Sequence, residues 1–101
     1  MKLNEMLLRA TLNNQENAEY LNKMSIIGKK EQIRQLRLRI RSEDRKLKEL
    51  KADDNPDLLK QQQIFRVQNG LNALRSKYQT ELMNLSSLER KQADLKHRRI
   101  Q

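Results

Sequence analysis

The stretch "QIRQLRLRIRSEDRKLKEL", Gln32 to Leu50, decides the fold. Its aliphatics Ile33, Leu36, Ile40, Leu47 and Leu50 recur at alternating steps of three and four, with Glu43 at the one polar position. That 3.5-residue repeat is the pattern of a coiled-coil seam. Interleaved with it stand Arg34, Arg37, Arg39, Arg41 and Arg45, then Lys46 and Lys48. The stretch reads as half of a packed helix pair that also carries a strongly basic surface.

The other half lies downstream. Ile64, Val67, Leu71, Leu74, Tyr78, Leu85, Leu88 and Leu95 keep the same rhythm, interrupted at Glu81, Gln92 and Arg99. Between the arms runs "ADDNPDLL", Ala52 to Leu59. Pro56 pushes Asn55 out of the α region and ends the first arm. Pro56 also suits the first turn of a new helix, with Asn55 or Asp54 as its cap. Asp57 then falls near the positive end of that helix dipole. Asp53, Asp54, Asn55 and Pro56 are expected to form the bend of a hairpin.

Composition agrees with an all-α hairpin. The chain has 101 residues, no Trp, and only Phe65, Tyr20 and Tyr78 as aromatics. A globular core relies on aromatics for buried area, so thin aliphatic seams are expected instead. Gly28, Gly70 and Pro56 are too few breakers for a sheet. The absence of Cys excludes disulfides and thiolate metal sites and fits a cytoplasmic location. No apolar run approaches the roughly 18 residues of a membrane span. Met1–Leu12 is interrupted by Asn4, Glu5 and Arg9 and makes a poor signal peptide.

The expected fold is a long antiparallel two-helix coiled coil with its bend at residues 52–57. Residues 1–28 form a less regular segment, 29–52 the basic arm, 53–57 the bend and 58–101 the second helix. Leu21, Met24 and Ile27 look like seam residues out of phase with Ile33, which predicts a hinge near "IIGKK". Asn13 followed by Glu16 resembles a capping box and predicts a short extra helix over the first dozen residues. Gly70 reads either as a surface glycine or as a place where a partner approaches closely.

Catalytic equipment is not recognisable. His97 is the only histidine, and no metal-ligand cluster, nucleophile motif or phosphate loop occurs. Asp53, Asp54 and Asp57 lack the spacing and glycine of a calcium loop. The expectation is a non-enzymatic protein with no cofactor, metal or small-molecule substrate.

The formal net charge is +9, and it is unevenly placed. Residues 29–51 hold ten bases and four acids, residues 52–57 three acids, and residues 58–101 nine bases and three acids. With Ile33 at heptad position a, Arg34 and Arg41 lie on the outer surface, while Arg37 and Arg39 flank the seam. The second arm offers only Glu81, Glu89 and Asp94 to oppose them. Most of the arginines are therefore expected to lack an acidic partner and to meet an acidic surface outside the chain. Specific nucleic-acid reading is not expected. The aliphatics occupy the face that a groove-reading helix needs, and aromatics for base stacking are missing. Leu38, Leu58, Phe65, Leu82 and Met83 fall off the seam and mark a second interface, for a homodimer or a larger partner.

One stretch carries a resemblance. "LLKQQQIFRVQNGLNAL", Leu58 to Leu74, follows "EQIRQLRLRI" and the acidic bend. It resembles the FliJ/YscO family of coiled-coil stalk proteins of bacterial type III secretion systems, over about residues 31–82. Leu58, Leu59, Lys60, Gln62, Ile64, Arg66 and Gln68 carry the likeness. The resemblance implies a cytoplasmic hairpin, peripheral to a membrane-embedded secretion complex. Such a stalk enters the hexameric secretion ATPase, links it to the export gate, and handles export chaperones. It would give Arg90, Lys91, Lys96, Arg98 and Arg99 to the ATPase, and Asp53, Asp54 and Pro56 to the gate. Two alternatives stand beside it. One is a small basic secretion chaperone for a helical substrate. The other is a basic coiled coil that binds nucleic acid without sequence specificity.

Overall fold

The computed structural model describes residues 2–100. They form two helices, α1 (Lys2–Lys51) and α2 (Leu58–Ile100), which make an antiparallel helical hairpin with its bend at residues 52–57. Contacts divide the chain into two compact units. One joins residues 31–51 of α1, through the bend, to residues 58–83 of α2; the other joins residues 2–30 to residues 84–100.

In the unit that contains the bend, the seam is aliphatic. Ile33, Leu36, Leu47 and Leu71 are buried, and Leu71 is 0% exposed. Ile40, Leu50, Ile64, Val67, Leu74 and Tyr78 are half-buried along the same line. Two cross-helix contacts fix the antiparallel direction. Arg37 Nη2 donates to Tyr78 Oη (3.3 Å), and Arg75 Nη2 pairs with Asp44 Oδ1 (3.5 Å).

The bend is held by its acids. Ala52 N still donates to the Lys48 and Glu49 carbonyls, which closes α1. Asp53 Oδ1 accepts from Asn55 N (3.0 Å), a local turn of the kind Asp favours. Asp57 Oδ1 accepts from Lys60 N (2.8 Å), the geometry of an N-cap. The cap is thus Asp57, not Asn55 or Asp54, and Pro56 precedes the helix rather than opening it. The reason is spacing: an N-cap side chain reaches the amide three residues on, and Asp57 to Lys60 supplies that step. Lys60 Nζ returns to Asp53 Oδ2 (2.9 Å) and ties the two sides of the bend together.

In the other unit the expected hinge and the extra helix are both absent. Helix α1 is continuous from Lys2 to Lys51, so Asn13 and Glu16 lie within it and no separate N-terminal helix folds back. Gly28 is likewise helical, without a left-handed φ. An uninterrupted helix keeps its phase. Stepping back from Ile33 by four and three gives Lys29, Ile26, Asn22, Glu19 and Gln15, and each is buried or half-buried. Leu21, Met24 and Ile27 are consequently exposed, not in the seam. Leu85, Leu88, Gln92 and Leu95 of α2 are half-buried.

Two amide side chains here bond across the seam. Asn22, 5% exposed, donates from Nδ2 to the Leu88 carbonyl and to Gln92 Oε1, both at 2.9 Å. Gln15 Nε2 donates to the Leu95 carbonyl at 3.0 Å. Hydrogen bonding offsets the cost of placing amides where a coiled coil normally has aliphatics.

Candidate functional site

The surfaces that can meet a partner are basic patches, the bend, and apolar side chains off the seam. In the bend-containing unit, Arg34, Arg37, Arg39 and Arg41 are all exposed. They are not equivalent. Arg34 forms a two-point pair with Glu31 of its own turn, at 2.8 and 3.0 Å. The expectation that it lacks an acid is corrected: an acid three residues earlier on a helix faces the same way. Hydrogen bonds from Arg34, and next from Gln35, hold the Glu31 carboxyl down at about 2. The same pair raises the Arg34 pKa further.

Arg37 is partly engaged by Tyr78. With Ile40, Arg41, Arg75 and Gln79 they line a shallow open groove between the helices. Arg39 and Arg41 make no ion pair with any described residue. Both are exposed and open to an external acid.

In the other unit, Arg90, Lys91, Lys96 and Arg98 are exposed and make no ion pair among the described residues. Arg90, Lys91 and Arg98 border one groove, together with Ser87, Asp94 and Leu95. Lys96 borders a second, with Glu16, Glu19, Tyr20, Lys23 and Gln92. The Arg99 side chain lies outside the described residues.

At the bend, Asp53, Asp54 and Asn55 are exposed and Pro56 is half-buried. The Asp53 pKa is lowered, first by the Lys60 ammonium and then by the Asn55 amide. Asp53 is therefore committed to the turn, and Asp54 is the acid presented outward.

Off the seam, Leu38, Leu58, Phe65 and Met83 are exposed as expected for a second interface. Leu82 is half-buried and drops out of that set. Leu59, beside Leu58 near the bend, joins it at 66% exposure. Leu21, Met24 and Ile27, expected in the seam, are exposed on α1, as is Tyr20, which sequence reasoning does not single out. The signal that finds them is the Ile33 phase carried through Gly28 without interruption.

Among the described residues, no group of three or more His, Asp or Glu lies together to hold a metal ion, and no helix is long and apolar enough to cross a membrane. The fold and its surfaces define a helical hairpin with exposed basic and apolar patches on both helices. No family model, curated protein or solved structure matches the chain.

Proposed function

We propose that the protein is a non-enzymatic helical-hairpin adaptor that acts by docking other proteins. In its particular form it is a stalk of a type III secretion apparatus. It couples the hexameric secretion ATPase to the export gate and handles export chaperones. One observation carries the docking reading. The aliphatic seam is occupied by the hairpin itself, yet Arg39, Arg41, Arg90, Lys91, Lys96 and Arg98 remain without an acid. Cations left over in this way favour an acidic partner surface and speed its encounter. Near the bend, exposed Leu58, Leu59 and Phe65 add an apolar anchor of the kind that centres an interface. The secretion form rests on the resemblance over residues 58–74.

The test is binding to purified secretion ATPase, measured with and without nuclease. Nuclease-resistant binding that weakens in the Arg39→Glu, Arg41→Glu double variant is expected. Retention that disappears on nuclease treatment would sink the stalk in favour of non-specific nucleic-acid binding.

A further inference from the structure

Residues 2–30 of α1 are amphipathic in an unusual sense. The face turned to α2 is largely polar, with Gln15, Glu19, Asn22 and Lys29 along it. The face turned away carries four large apolar side chains, with Asn13 and Asn17 exposed on the turns before them. Tyr20 is 61% exposed, Leu21 65%, Met24 48% and Ile27 52%. Their spacing of one, four and seven residues from Tyr20 places them on one stripe, which continues at Gly28. At these exposures the four side chains present on the order of 400–500 Å² of surface. That is the size of the largest apolar patch on a typical monomer, which is often functional.

The borders of the stripe select its occupant. Along one edge run Arg9, Glu16, Lys23 and Lys30, all exposed, with a positive balance. Along the other run Thr11, Ala18 and Ser25, small and uncharged. Ser25 Oγ folds back onto the Leu21 carbonyl and stays out of the way. Gly28 has no neighbour within 4 Å of where a Cβ would stand. One edge therefore asks for acids, and the other allows close approach. A second copy of this chain would bring a net charge of +9 against another +9. An acidic helix meets both edges.

We propose that Tyr20, Leu21, Met24 and Ile27 form a docking face for an amphipathic helix of another protein, with acidic residues flanking its apolar seam. The helix lays its apolar face on the stripe and its acids against Lys23 and Lys30, a helix-on-helix mode of recognition. The face shares one groove with Lys96, which lies beside Tyr20 and Lys23, whereas Arg39 and Arg41 belong to the other unit. Its occupant does not depend on the secretion reading, because the ATPase experiment probes Arg39 and Arg41 in the other unit.

The experiment uses the full chain and a labelled synthetic helix with Leu at its seam and Glu beside it, followed by fluorescence anisotropy. Saturable binding is expected, weakened at least about tenfold in the Leu21→Ser, Ile27→Ser double variant with unchanged helicity. Thr80→Ala, at an exposed position whose hydroxyl bonds only its own helix, is expected to bind as wild type, and a Lys-for-Glu peptide is expected not to bind. Equal affinity of the Leu21→Ser, Ile27→Ser variant would reduce the effect to charge alone and overturn the proposal. So would the absence of saturable binding. A dimer in light scattering that Leu21→Ser, Ile27→Ser dissociates would assign the face to a second copy and also overturn it.

Discussion

Leu71 is the side chain on which the seam depends most, and Leu71→Ala isolates its contribution. It is fully buried, whereas the neighbouring anchors Ile33, Leu36 and Leu47 keep 4–7% exposure. The substitution removes three carbon groups, each worth about 0.8 kcal/mol when buried, so the transfer loss alone is about 2.5 kcal/mol. A cavity adds to that in a thick core. Two helices form a thin wall that water reaches from the side, so the added loss is small. The expected destabilisation is about 2.5–3.5 kcal/mol, at the lower end of the range for buried Leu→Ala. Leu59→Ala, at a 66% exposed position, is the matched control and is expected to cost under about 0.5 kcal/mol. Urea unfolding followed by helical circular dichroism measures both, read as midpoint shifts at constant slope. Equal effects for the two variants, or a Leu71→Ala cost below about 1 kcal/mol, would refute the seam assignment.

Three further outcomes are expected. Gly70→Ala raises thermal stability by up to about 1 kcal/mol, because Ala is the better helix former and its Cβ meets nothing within 4 Å; a lowered melting temperature would show that the position is not open helix. Asp57→Ala removes the cap of α2 and costs about 0.5–2 kcal/mol in the same urea assay, whereas an unaltered midpoint would place the cap elsewhere. Glu31 titrates at about 2, below its ordinary 4.5, so its interaction with Arg34 is fully present above about pH 4.5 and is lost as pH falls towards 2. Carboxyl NMR is expected to return Glu31 towards 4.5 in Arg34→Gln, and an unmoved titration would rule out Arg34 as the cause.

Much of the hairpin is legible in the sequence because one physical rule governs it. Aliphatics at steps of three and four from Ile33 to Leu50 and from Ile64 to Leu95 have few other ways to be buried, and they are buried or half-buried. Asn55–Pro56 stops a helix for steric reasons that need no tertiary context. The cap is not legible to the residue, because Asp54, Asn55 and Asp57 are all competent caps and only the start at Leu58 chooses among them. Residues 2–30 are illegible for a deeper reason. Pattern reading assumes that large apolar side chains face the partner helix within the chain. Here amides from Gln15 and Asn22 bond across the seam, and helix continuity turns Leu21, Met24 and Ile27 outward. At Arg34 the heptad pattern points across to α2 for an acid, whereas the partner is Glu31, one turn back on the same helix.

The central claim is that α1 keeps a single phase through Gly28, with amides inward and the apolar stripe outward. Adjacent residues decide it, and the chain has no native cysteine to interfere. Thiol labelling of Leu21→Cys and Asn22→Cys, each the sole cysteine, reads the phase directly. Leu21 is 65% exposed and Asn22 5%. Leu21→Cys is expected to react near the rate of the unfolded chain and Asn22→Cys at least about tenfold more slowly. Equal rates, or the reverse order, would contradict it.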